Sequence, residues 1–186
     1  MRFNTHSDLT GRHAYLSASS PAWMNYDEEK FDRVFLTNRA ARTGVERHAF
    51  AAEAIRLGIL LQDIPETLNM YVNDAIRFRM QSEQILYYSD NAFGTADAIA
   101  FRDDFLRIHD YKSGVTPTDM RQLFGYAALF CLEYRVNPFN IETELRIYQN
   151  NDIKKVNPDP GDILFVMEKY RTGDRRIRQI LKEELL

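Results

Sequence analysis

The chain has 186 residues, 45% of them hydrophobic and 27% charged, with a formal net charge of -3. That suffices for one well-filled core and predicts a single domain over residues 1–186. The acidic balance argues against a generic nucleic-acid coat protein, the lone Cys131 excludes an intrachain disulfide or a four-cysteine metal site, and no run of about 18 apolar residues predicts a membrane span.

The opening stretch, MRFNTHSDLTGRH, lacks the apolar segment of a signal peptide, which predicts a cytoplasmic protein. In LSASSPAWMNY, Ser19 or Ser20 is placed to cap a helical turn that begins at Pro21. A long helix is expected from about Arg33 to Leu57, with Gly58 as its stop. Arg33, Arg39, Arg42 and Arg47 fall in this segment, as a solvated face or a basic patch. The run PETLNMYVNDAIRFRMQSEQ has apolar residues at helical spacing after a proline. Then ILYYS, FGTADAIAF and FLRIHDYK, rich in β-branched and aromatic residues, read as three strands. A helix follows Pro117, with Thr118 as its expected N-cap. NIETELRIYQ alternates as a half-buried strand would, and the chain closes in one or two helices. This order, with a hairpin inside it, predicts a mixed α/β (α+β) layer fold, not a doubly wound parallel sheet. Cys131, in YAALFCLEY, is expected to be a buried core thiol.

The hairpin raises the functional question. If Asp103 and Asp104 form its turn, Arg102 pairs with Phe105, Phe101 with Leu106, Ile99 with Ile108 and Asp97 with Asp110. Alternate pairs share a face, so two aspartates follow the apolar pairs on one side of the sheet, with Lys112 one pleat further on. The aspartate β-carbons would lie about 4.5–5.5 Å apart, where like charges destabilise a sheet. Protonation of one carboxyl relieves this, and so does a cation between them. A hard divalent cation such as Mg²⁺ or Mn²⁺ suits these oxygens. Lys112 would then be placed to hold an attacking water or an anionic phosphate oxygen. A solvated strand end with an Asp–Lys ion pair would use the same three residues.

Four short motifs add to this picture. Gly94-Thr95-Ala96-Asp97 resembles the GxxD strand of the PD-(D/E)XK nuclease superfamily, and Asp110-Tyr111-Lys112-Ser113-Gly114 resembles its DxKTG strand. Gly44-x-x-x-His48 is similar to the GxxxH helix motif of the RecB-like exonuclease branch. Gln122-x-x-x-Tyr126 is similar to that branch's QxxxY motif. With the serine-rich LSASS near Leu16, the resemblance runs from about Leu16 to Gln149.

It implies a restriction-endonuclease-like core, a small mixed sheet with a strand hairpin flanked by helices. It implies metal ligation by Asp97, Asp110, His48 and the backbone carbonyl of Tyr111, with Lys112 assisting the attacking water. Gln122 and Tyr126 would contact the nucleic-acid backbone. Some relatives carry a glutamate four residues after the histidine; here position 52 is Ala and Glu53 comes one later, so Glu46 and Glu53 stand only as secondary acidic candidates. Relatives with an iron–sulfur cluster supply four cysteines, which this chain lacks.

The expected activity is a stand-alone deoxyribonuclease dependent on Mg²⁺ or Mn²⁺. An exonuclease acting on linear double- or single-stranded DNA in recombination, repair or phage DNA processing fits best. The setting would be the cytoplasm of a bacterium or phage-infected host. An endonuclease on the same fold and a non-catalytic nucleic-acid-binding or assembly protein are the alternatives. The expected partners are DNA and no membrane, with a homo-oligomer or a single-strand-annealing or recombination partner protein left open.

Overall fold

The structure is a computed structural model that describes residues 14–183. The opening stretch read for a targeting signal lies outside the described residues. The chain divides into two compact units, one ending at Thr43 and one beginning at Gly44.

In the first unit, Pro21–Asn25 forms a 3-10 turn with Ser20 at its N-cap position, where no side-chain bond is made. Helix α1 (Glu28–Leu57), whose residues from Gly44 on belong to the second unit, starts earlier than its apolar pattern suggests. Asp27 explains this: its Oδ1 accepts from the amide of Lys30 at 2.8 Å, an N-cap bond. The Tyr15 ring meets Phe35 edge-on at 4.8 Å, and the Arg42 guanidinium lies 3.9 Å over the Tyr15 ring.

The second unit adds α2 (Thr67–Arg77), β1 (Gln81–Ser89), β2 (Ala92–Arg102), β3 (Phe105–Tyr111), α3 (Arg121–Glu133), β4 (Glu142–Gln149), β5 (Asp152–Val156) and α4 (Pro160–Glu183). The strands form one sheet in the order β1-β2-β3-β4-β5. All neighbours are antiparallel except β3 and β4, which are parallel with α3 as their crossover. This is a mixed α/β architecture. On one face, Leu123, Ala127 and Phe130 of α3 pack on Leu86, Ile99, Leu106, Ile108, Leu145 and Ile147, and α4 joins through Ile163 and Met167. On the other, Ala51, Ala54 and Ile55 of α1 and Tyr71, Val72 and Ala75 of α2 pack on Ala98, Tyr111 and Tyr148. Among the described residues, no helix is long and apolar enough to cross a membrane.

The hairpin has the expected register, with Arg102, Phe101 and Ile99 opposite Phe105, Leu106 and Ile108. Asp103 and Asp104 both take positive φ, 50° and 55°, as the two central residues of a tight hairpin turn do.

Three local readings are corrected. The helix expected through Gln84 ends at Arg77, because Arg79 takes φ 51°. Its amide bonds to Ile76 O and that of Met80 to Ala75 O, both at 2.9 Å, closing a Schellman motif. Residues 81–84 therefore belong to β1. Thr118 does not cap α3: its amide and hydroxyl both donate to Gln149 Oε1, while Asp119 Oδ1 receives the Arg121 amide. β4 is interior and covered on both faces, so Glu144 and Tyr148 are buried beside Leu145 and Ile147. Cys131 is buried as expected, which pushes its thiol up to about 11.

Candidate active site

The pleat of the sheet inverts at one point. Met80 lies in the α1/α2 core, and Ser82 donates its hydroxyl to Ala52 O of α1, whereas Leu86 packs under α3. On β2, Gly94 and Ala96 face α3, whereas Ala98 and Ala100 face α1 and α2. Strict alternation would keep each even-numbered set on one face. The switch falls at Glu83 on β1 and Asp97 on β2. Glu83 takes φ 52°, a conformation that non-glycine residues adopt only under constraint.

Glu83 and Asp97 lie between the paired positions Ser82–Ala98 and Gln84–Ala96. Asp97 and Asp110 lie one step beyond the last pair of the hairpin, Ala98–His109. Three carboxylates thus follow one another across β1, β2 and β3.

His48, Glu83 and Asp97 offer ligand atoms all within 4.8 Å of one another. His48 Nδ1 is 3.5 Å from Asp97 Oδ2, which also accepts from the Tyr111 amide at 2.9 Å. Glu83 is exposed, yet partial desolvation, followed by the Asp97 charge, raises its pKa.

Asp110 stands outside this group of three. Its Oδ1 accepts from Lys112 Nζ at 3.0 Å; its Oδ2 is 2.9 Å from the same nitrogen but outside hydrogen-bond geometry, leaving that buried oxygen without a bond. Burial, then the Asp97 charge, raise the carboxyl to about 6 against the opposing pull of Lys112. This is the strain that the hairpin register predicts for facing aspartates. The faces differ from the expectation: Asp110 follows Leu106 and Ile108 on the α3 side, while Asp97, at the inversion, reaches His48 on α1.

Lys112 Nζ also donates to Gln122 Oε1 at 2.8 Å, and Gln122 Nε2 donates to the Tyr126 hydroxyl at 2.8 Å. The amide orientation follows from chemistry, since an ammonium can only donate. A relay Asp110–Lys112–Gln122–Tyr126 therefore joins the strand to the first turns of α3. Lys112 borders a cleft of about 420 Å³ shared with Arg47, Thr67, Ser113 and Asn151.

Two glycines make these approaches possible. A Cβ on Gly94 would sit 3.0 Å from Tyr126 Cε1, and one on Gly44 3.0 Å from Ser113 Oγ. Gly44 thereby brings the segment after β3 against α1, one helical turn before His48. The Tyr111 side chain is buried against His48 and Tyr71, at ring distances of 5.0 and 5.6 Å.

The structure thus brings together His48, Asp97, Asp110, Lys112, Gln122 and Tyr126. It leaves Glu46 exposed and outside the group, and Glu53 exposed and paired with Arg56. Sequence reasoning misses Glu83, because helical spacing after Pro65 extends through MQSEQ. His109 points away, into the α2 side against Phe78 and Tyr148, and burial lowers its pKa to about 3.

No family model, curated protein or solved structure matches this chain.

Proposed function

We propose that the chain is a metal-dependent deoxyribonuclease of the PD-(D/E)XK type, acting as an exonuclease. The observation that carries this reading is the row Glu83–Asp97–Asp110 with Lys112 beyond it. Three carboxylates side by side with one lysine leave an excess of negative charge, and Asp110 Oδ2 has no hydrogen bond among the described residues. An oxygen-rich set with one imidazole suits Mg²⁺ or Mn²⁺.

Asp97, Glu83 and His48 would hold the ion, with Asp110 and the Tyr111 carbonyl completing the protein's share. Such a cation polarises a phosphate oxygen and lowers the pKa of water beside it. Lys112 uses two of its three donors on Asp110 and Gln122. The third, without a partner among the described residues, would serve the attacking water or a phosphate oxygen, whose growing charge it would stabilise. Gln122 keeps the ammonium in place, and the Tyr126 hydroxyl fixes the Gln122 amide. Arg47 and Lys112 on the rim of the cleft favour a phosphodiester backbone. The restriction-endonuclease-like core, a cytoplasmic setting and DNA as the partner belong to this reading.

The test uses end-labelled linear, covalently closed circular and single-stranded DNA with Mg²⁺, Mn²⁺ or EDTA. The expected result is metal-dependent loss of linear DNA and intact circles. Cleaved circles would reassign the enzyme as an endonuclease. No cleavage of any substrate with either metal overturns the nuclease reading.

A further inference from the structure

Beside the carboxylate row, β1 and β2 contribute to a second concave feature. A groove of about 370 Å³ runs between these strands and the end of α3, within the size range of small-ligand sites. Its floor is apolar, made by Leu86 and Ile99. Its wall is a run of three rings: Phe101 lies 5.0 Å from Phe130, and Phe130 lies 4.9 Å from Tyr134. Phe101 and Tyr134 keep 38% and 53% of their surface exposed, so ring faces remain available.

The rim is basic. Arg79 and Arg102 border the groove, and Arg102 donates to the Arg79 carbonyl at 3.0 Å. Neither has a carboxylate partner among the described residues, in contrast to Arg107, Arg146 and Arg171. Gln84 adds an amide at the edge. An apolar slot with exposed rings and guanidinium groups that have no carboxylate partner among the described residues suits a flat, aromatic ligand attached to an anion. A purely apolar peptide would leave both arginines unused.

The position narrows the ligand further. Gln84 follows Glu83 directly, and Ile99 is two residues beyond Asp97. Strand rise places the groove about 7–17 Å along β2 from the carboxylate row. At about 3.4 Å per stacked nucleotide, that is a few nucleotides.

We propose that this groove binds a base of a single-stranded nucleic-acid segment whose backbone passes the carboxylate row, with Tyr134 and Phe101 as the stacking surface. The inference rests on the nuclease reading. Arg79 and Arg102 contact the adjoining phosphates. Stacking on rings is tolerant of base identity, so the groove orients the strand without reading sequence.

The experiment measures binding of two fluorescein-labelled 12-mers in Ca²⁺, oligothymidylate and a fully abasic strand of equal length. Loss of one stacked base is worth about 5- to 140-fold in affinity. Tyr134→Ala is expected to weaken thymidylate binding by that factor and to leave abasic binding within about twofold. Tyr134→Phe should behave as wild type. Phe101→Ala provides a second variant, and a thermal melt of each confirms folding. If both variants bind both oligonucleotides as wild type does, or lose affinity for both equally, the groove is not a base site. Should the wild type still cleave DNA with Mg²⁺ in that case, the nuclease reading stands alone. A wild type that neither binds nor cleaves DNA overturns both.

Discussion

Asp110→Asn, studied without metal, tests the electrostatics of the site before any question of catalysis. The Asp110 side chain is fully buried, and its carboxyl is raised from the ordinary 3.8 to about 6. The folded protein therefore binds a proton there more tightly than the unfolded chain does. Stability from this group is present below about pH 4 and is lost as pH rises through about 6. At about 1.4 kcal/mol per unit, the ionised carboxylate costs roughly 3 kcal/mol at neutral pH. Asparagine removes that cost. The pull of Lys112 is already contained in the raised value, and Lys112 keeps Gln122, so the net gain is about 3 kcal/mol, or about 6–12 °C in melting temperature for a chain of this size. Melts in EDTA should show the variant above wild type at pH 7.5 and level with it near pH 4. A saturating cation at about 100 times its Kd would add about 2.7 kcal/mol to wild type and close the gap. A variant that melts below wild type in EDTA at pH 7.5, or a gap independent of pH, would refute the account of Asp110.

Lys112→Ala should melt below wild type without metal at neutral pH, since the buried Asp110 loses its cation, yet keep Mn²⁺ binding and lose cleavage, since charge-stabilising donors are typically worth about 10²–10³-fold; more than about a tenth of wild-type rate removes Lys112 from the chemistry. Glu83→Gln should weaken Mn²⁺ binding in calorimetry, and unchanged affinity would show that the ion does not use it. Gly44→Ala places a Cβ 3.0 Å from Ser113 Oγ, so cleavage should fall although alanine favours the helix by about 1 kcal/mol; adding Ser113→Ala should restore the rate, and no restoration would dismiss that contact. His109, buried and lowered to about 3 from 6.5, costs stability as pH falls from about 6.5 towards 3; His109→Gln should flatten the acid limb of the stability curve, and an unchanged slope would assign acid unfolding to other groups.

The hairpin was legible because its cues are local. Two aspartates between apolar runs close a tight turn, and the register follows by counting residues outward. The helix ends were not. α2 and α3 both finish in Schellman motifs whose left-handed residue is arginine, Arg79 and Arg135, where glycine is the usual signal. The end of α1 at Leu57 is legible, because Gly58, with φ 67°, follows it. The missing cue at Arg79 had a consequence at the site, since it hid the β1 assignment of Glu83. β5 went unread because DIKKV is short and charged, with Lys154 and Lys155 exposed on an edge strand. The shared face of Asp97 and Asp110 was misjudged for a different reason. Strand alternation assumes a continuous pleat, and the φ that breaks it at Glu83 has no sequence signature.

That break gives the site its geometry. In a regular pleat, Asp97 would stand on the α3 face with Ile99, and His48 on α1 would lie across the sheet from it. The inversion at Glu83 and Asp97 lets one carboxylate reach the histidine of α1 while the next strand's Asp110 reaches Lys112 and α3. Groups from both layers then meet at one point of the sheet without a long loop to carry them. The arrangement is costly: a non-glycine residue at positive φ costs on the order of 1–3 kcal/mol, and the buried Asp110 charge adds to it. A structural ion pair needs neither the strained residue nor a third carboxylate. A divalent cation needs ligands converging from several directions, and under the proposed metal-dependent reading the inverted pleat would supply them.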